Sequence, residues 1–217
     1  MKFRALVYKE IRVCLPFTMG LAIMLFASGF AAVQIADSKI IMPGVVSDEA
    51  FFHITGGWVL TFSIILGLIL SVYQFQAEFS TRVWGFLLHR SVTRGTILIS
   101  KLFSALLCFI PLLIIWSVFY LTMRNKPFFE APLEISIFWK GLIFIILGYV
   151  SYLAVAAAIL SQAKWYTTKL LSLAFSGWMF SILIVQWRLL GAWIIIVVTM
   201  AILLIQITDI FLNREFE

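Results

Sequence analysis

The chain is poor in charge. Asp, Glu, Lys and Arg together make up 12% of its 217 residues, against about 25% in an ordinary soluble domain. Its mean hydropathy is +1.09. It has two cysteines, Cys14 and Cys108. Both lie in or beside apolar stretches, so they read as small core residues, with little support for a disulfide or a metal site. No phosphate-cradling G-x-x-x-x-G-K-[ST] loop occurs, and neither HExxH nor GxSxG. His53 and His89, the two histidines, stand apart from each other. These absences leave nothing to serve as a catalytic pair or a metal cluster, and no residue is assigned a catalytic role. The Ser176–Gly177 pair reads as helix-packing material.

Where charge is missing, long apolar runs take its place. Six runs carry no Asp, Glu, Lys or Arg: residues 13–36, 50–77, 102–123, 141–163, 170–187 and 189–208. A helix crossing a membrane needs about 20 apolar residues, because hydrocarbon cannot satisfy exposed backbone groups. The runs predict an all-α polytopic membrane protein with six transmembrane helices over 15–208. Their interiors hold no Asp, Glu, Lys, Arg or His, with His53 at the outer edge of the second run, which disfavours proton relays, voltage sensors and charge-lined channels. Small residues Gly141, Gly148, Ser151, Ala154 and Ala158 mark the fourth helix as one that packs closely. Gln34, Gln74, Gln76, Gln162, Gln186 and Gln206 fall near run ends, most of them at interfaces and one or two beside a substrate path.

At and ahead of the start of the first run, Phe3, Leu6, Val7, Ile11, Cys14 and Leu15 form a helical stripe, with Lys2, Lys9 and Arg12 elsewhere. This predicts an interfacial amphipathic helix over 1–14 on the cytoplasmic surface, with a bend at Pro16. A signal peptide is the weaker reading, since the apolar run exceeds the usual 7–15 residues or so of such a segment. Glu10 falls near the apolar stripe and calls for a basic partner on a neighbouring helix. With six crossings both termini share one side. That side, including 78–101, 164–169 and a tail over 209–217, holds eleven of the sixteen Lys and Arg residues, and the other side holds five. The positive-inside rule puts the richer side in the cytoplasm of a plasma (bacterial inner) membrane. It also accounts for the net charge of +6 without nucleic acid.

The cytoplasmic interval 78–101, EFSTRVWGFLLHRSVTRGTILISK, is not a plain polar loop. Glu78 and Arg82 are spaced for a helical ion pair. Phe79, Val83, Phe86 and Leu87 make an apolar face, and His89, Arg90, Thr93 and Arg94 offer a small basic surface. An element of this kind suits docking to a soluble partner, and it also suits a simple topology signal with an interfacial helix.

These residues resemble the membrane-spanning permease subunits of ABC-2-type ABC transporters. Carrying the resemblance are Glu78, Trp84, Leu87–Leu88, the "SVTR" of Ser91–Arg94, Lys101, and the N-terminal "VYKEIR" of Val7–Arg12. Arg82–Val83 stand where the family has Gly-Thr, and Ser91 where it has Pro. Only "QWRLL" at 186–190 separates the last two runs, where the family often has re-entrant helices. The resemblance implies that 78–101 is a coupling helix. Glu78, Arg82, Trp84, His89, Arg90, Thr93, Arg94 and Lys101 would meet an ATP-binding subunit, with Lys164 and Lys169 as a second contact. ATP and Mg would be held by that partner chain, and this chain would bind no cofactor of its own. It further implies a second permease copy, and export of cargo. Spans without charge favour an apolar or amphipathic cargo. The other reading is a six-span accessory or scaffold protein whose basic loop binds anionic lipid or a partner that is not an ATPase.

The charge asymmetry makes a direct topological prediction. In a background lacking Cys14 and Cys108, a cysteine at Ser47 reacts with an impermeant thiol reagent in intact cells, and one at Ser91 only after lysis. Labelling of position 91 in intact cells would reject this orientation.

Overall fold

The computed structural model describes residues 2–37, 48–76, 93–124, 134–161 and 189–213. Among them every regular element is helical. We number these α1 (Lys2–Asp37), α2 (Asp48–Ser71) running into a π-helical turn (Val72–Gln76), α3 (Arg94–Cys108), α4 (Ile110–Met123), α5 (Ile135–Leu160) and α6 (Leu189–Asn213). Five stretches are long and apolar enough to cross a membrane: Phe3–Ala31, Thr55–Gln76, Arg94–Met123, Ile135–Leu160 and Gly191–Leu212. They correspond to five of the six expected runs. The remaining run, 170–187, lies outside the described residues.

Two boundaries differ from expectation, for one reason. The helix α1 passes through Pro16 without ending, so residues 2–14 are the first turns of one 36-residue helix and not a separate element. The third crossing starts at Arg94, not after Lys101. Counting from charge to charge cut each helix at its charged residue. Glu10 and Lys101 lie within the apolar helices, so the spans are not free of ionisable groups.

A short break divides the third crossing. Pro111, in the first turn of α4, has no N–H to give to the preceding turn. The Phe109 N–H closes the end of α3 on the carbonyls of Leu106 and Leu107. At the start of α3, Thr93 is the N-cap, and its hydroxyl accepts from the Thr96 N–H at 3.4 Å.

Directions follow from the contacts. Glu10 meets Lys101 at one end, and Gly29 meets Phe119 towards the other, so α1 runs parallel to α3 and α4. Phe17 meets Tyr73, whereas Ser28 shares a groove with Thr55, so α2 runs antiparallel to α1. Ser63 packs on Gly148, and Phe75 on Tyr152, so α5 runs parallel to α2. Near their starts α5 and α6 bring Trp139 and Trp193 to 6.3 Å between ring centroids. The end of α6 lies at the start of α3, where Arg94 donates to the Leu212 carbonyl at 3.2 Å. Helix α6 therefore also runs parallel to α5.

Packing is closest between α2 and α5. Ser63, Gly67 and Ser71, four residues apart, bring a small-residue stripe against Gly148 and Ser151. A Cβ on Gly148 would fall 2.5 Å from the Ser63 carbonyl oxygen, a distance that backbone atoms cannot accommodate. In lipid, where helices gain little from burying apolar surface, such close backbone approach holds a bundle together. The outward faces fit that environment. Ile23, Met24, Phe26 and Phe30 on α1 and Ile194, Val197 and Ile205 on α6 are exposed, while Glu10, Gln74 and Lys101 are buried.

Gly148→Leu is expected to destabilise the bundle by at least the ~1–3 kcal/mol typical of overpacking. Gly57→Leu serves as the control, because a Cβ there meets nothing within 4 Å. Thermal unfolding in detergent reads the difference, and equal midpoints for the two variants would contradict the α2–α5 interface.

Candidate functional site: a buried polar cluster

Lys101 is the centre of the site. It is fully buried, and an ammonium taken out of water is stable only with a charge partner and filled hydrogen bonds. Its Nζ donates to Glu10 Oε1 at 3.1 Å and to the Gln74 backbone carbonyl at 2.8 Å, and it stands 5.6 Å from the Phe75 ring centroid. Glu10, 5% exposed, also lies 3.8 Å from the more exposed Lys9. Lys101 is thus the basic partner that the position of Glu10 called for.

Gln74 extends the cluster to three more side chains. Its Oε1 accepts from the Tyr152 hydroxyl at 2.7 Å, and its Nε2 donates to Ser104 Oγ at 3.1 Å and points to Cys14 Sγ at 3.6 Å. Ser104 donates in turn to the Lys101 carbonyl at 2.9 Å. Gln74 sits in the π-helical turn, a local widening of the helix that often marks functional positions. Here the turn aims both the carbonyl and the side chain of one residue into the interior. Four crossings contribute: α1 through Glu10 and Cys14, the end of α2 through Gln74, α3 through Lys101 and Ser104, and α5 through Tyr152. Tyr149, one turn earlier on α5, donates to the Leu102 carbonyl of α3 at 3.3 Å.

The residues expected to meet a partner are distributed as follows. Glu78, Arg82, Trp84, His89 and Arg90, and Lys164 and Lys169, lie outside the described residues. Thr93 caps α3. Arg94 reaches across to the end of α6. Lys101 is turned inward and offers no surface to a partner. The structure brings Lys101 together with Glu10, Gln74, Ser104 and Tyr152. Sequence reasoning singled out Glu10 without knowing its partner, named Gln74 only as one of six glutamines near run ends, and missed Ser104 and Tyr152, which look like ordinary span residues.

Towards the opposite end, α1, α2 and α4 border a groove lined by Ser28, Thr55, Trp58, Trp116 and Phe119 among others. Its walls are mainly apolar, with three aromatic rings and two hydroxyl residues. Among the described residues no group of three or more His, Cys, Asp or Glu side chains could hold a metal ion. Comparison of the chain with protein-family models, with curated proteins and with solved structures found no match.

Removing one partner of the central pair strands the other. Lys101→Met should cost about 3–5 kcal/mol, the usual penalty for breaking a buried ion pair. Combining it with Glu10→Gln should recover part of that loss, because no buried charge is then left over. Thermal unfolding in detergent gives both values; a Lys101→Met protein as stable as the parent would contradict the pairing.

Proposed function

We propose that this chain is the membrane-spanning permease subunit of an ATP-driven ABC transporter, without enzymatic activity of its own. It works with a separate ATP-binding subunit, which carries ATP and Mg, and with a second permease copy, in the plasma or bacterial inner membrane. The part of 78–101 that leads into α3 docks on the ATP-binding subunit, and the transported substrate is apolar or amphipathic, most simply exported.

One observation carries this reading: the buried Lys101–Glu10–Gln74 cluster. The docking segment starts directly after the π-helical turn holding Gln74 and ends at Lys101. The helices that flank it are pinned to each other by a 2.8 Å hydrogen bond between Lys101 and the Gln74 carbonyl, and to α1 by the ion pair. A segment anchored this way moves its helices when it is moved. A loop serving only as a topology signal has no need of such anchoring. The largely apolar groove between α1, α2 and α4 supports an apolar cargo in the same way.

Six crossings belong to this reading. Two of the five described crossings, α1 and α3–α4, run in one direction, and α2, α5 and α6 in the other. Since α5 and α6 are parallel, the chain that joins them has to return the length of the bundle, and the apolar run 170–187 is long enough for one passage. Both termini then lie on the side of the basic segment.

The test is recovery of the ATP-binding subunit with the tagged permease, together with substrate-stimulated ATP hydrolysis. Charge-assisted contacts contribute about 1.5–3 kcal/mol each, so Arg90→Glu with Arg94→Glu should release the ATPase and abolish transport. Because Arg94 also holds the end of α6, Arg90→Glu is tested alone as well and should weaken docking with the bundle intact. Glu78→Ala should lower coupling more than binding. Normal ATPase recovery and transport in the double variant would overturn the proposal. Selective retention of the parent chain by vesicles containing anionic lipid would then favour the scaffold reading.

A further inference from the structure

We propose that the outward stripe of α1 is a docking site for an anionic phospholipid. Arg12 and Tyr8 hold its phosphodiester, Arg4 adds positive charge at the headgroup, and an acyl chain lies along Leu15, Met19 and Phe26. Helix α1 has two unlike faces. Val7, Glu10, Cys14, Thr18, Leu21 and Leu25 recur every three or four residues, and all are buried. Away from them, Arg4, Tyr8 and Arg12 are exposed and spaced by four. Further along the helix Leu15, Met19 and Phe26 are exposed as well. Steps of three, four and seven residues keep all six on one side of the helix.

Both the charge and the depth of this stripe suit a headgroup. Besides Asp37 at its far end, α1 carries one carboxylate, Glu10. That carboxylate faces inward, where Lys101 pairs with it at 3.1 Å, and Lys9 leans towards it at 3.8 Å. Among the described residues neither Arg4 nor Arg12 has an ion pair or a hydrogen bond. Arg12 is the last charged residue before the run 13–36. As a helix that run is about 36 Å long, against a hydrocarbon core of about 30 Å. Arg12 therefore stands at the edge of the core. Helical side chains tilt towards the N-terminus, so its guanidinium lies over the turn of Tyr8, in the headgroup layer.

A guanidinium donates two parallel hydrogen bonds to a phosphate, and a phenol hydroxyl supplies a third donor. A zwitterionic lipid brings a cation of its own to the same place, which opposes Arg4 and Arg12. An anionic lipid does not, and each Arg near it strengthens the attraction about fivefold. An acidic protein surface would satisfy the arginines but leave Leu15, Met19 and Phe26 without a matching partner. A phospholipid satisfies both, because its phosphate and its chain are joined in the order in which the stripe presents cations and apolar residues.

Photocross-linking in the full chain tests the proposal. Benzoylphenylalanine replaces Leu15, and the protein is reconstituted into phosphatidylcholine vesicles. These hold a trace of radiolabelled phosphatidylglycerol or of radiolabelled phosphatidylcholine. The anionic label should attach about fivefold or more over the zwitterionic one. The same group at Ile205, exposed on α6 with Asp209 one turn later, is the control and should show no such preference. Arg4→Gln with Arg12→Gln should bring the ratio at position 15 close to one, whereas Arg4→Lys with Arg12→Lys should keep part of it. Equal attachment of the two lipids to the parent, or a preference that persists in the double Gln variant, would overturn the proposal. So would a parent without preference whose double Gln variant releases the ATP-binding subunit, since the stripe would then belong to a protein partner. Arg90→Glu should leave the ratio unchanged, which separates this site from a lipid contact at 78–101. No ATPase enters the lipid measurement, so its failure would leave the transport reading standing, and failure of the transport reading would leave this one standing.

Discussion

A lysine ammonium without contact with water has to be compensated by its neighbours, and the arrangement of this bundle follows from how Lys101 is compensated. Its partners come from two other crossings, the Glu10 carboxylate of α1 and the Gln74 carbonyl at the end of α2. Any rotation or axial shift of α1, α2 or α3 by one residue would remove a partner and leave a buried charge. Apolar contacts tolerate such slippage, because one leucine packs much like another. A buried ion pair adds little net stability compared with apolar packing, but it makes misaligned arrangements costly. Here it fixes the register of three helices at one end of the molecule, and Tyr152, through Gln74, adds a fourth.

The α2–α5 contact supplies the complementary constraint. It contains no charge, and its strength lies in close backbone approach across Gly67 and Gly148. This interface sets how near the two helices lie, while the polar cluster sets their relative height. The two meet at the end of α2, where Ser71 closes the small-residue stripe and Gln74 opens the polar one. A π-helical turn between them changes the facing of the helix by the extra residue it contains. That allows a single crossing to present small residues to α5 over most of its length and an amide to the cluster at its end.

The all-helical, membrane-type make-up was legible because it depends on composition and run length, which need no knowledge of partners. Five runs became helices at close to the expected places. Errors fell where a charged residue served as a boundary. Glu10 and Lys101 are 91 positions apart, and each alone is a reason to end a span; paired, they are reasons to continue it. Pairing is a tertiary fact, and nothing in the local pattern around Lys101 announces it, so the lysine read as a surface contact. Glu10 was the better signal, since a carboxylate on an apolar stripe demands a partner. The two cysteines carried no signal beyond their apolar neighbours.

If the segment between Gln74 and Lys101 does transmit force from a soluble motor, the position of the cluster has a mechanical consequence. Work done on a flexible loop is lost to loop motion unless its two ends are held at a fixed separation. Here one hydrogen bond joins the residues next to those ends, and the ion pair ties the same point to α1. Displacement of the segment then acts on α1, α2 and α3 together, and the Tyr152 hydroxyl carries it to α5. The groove between α1, α2 and α4 lies towards the other end of the same helices, with Trp116 on α4 fixed to α5 through its donation to the Phe138 carbonyl at 3.2 Å. A tilt of α1 pivoting on the cluster would change the width of that groove most, because the groove is the farther from the pivot. On the proposed function, a small movement at the basic segment would change the width of this largely apolar space at the opposite end, as alternating exposure of an apolar cargo requires.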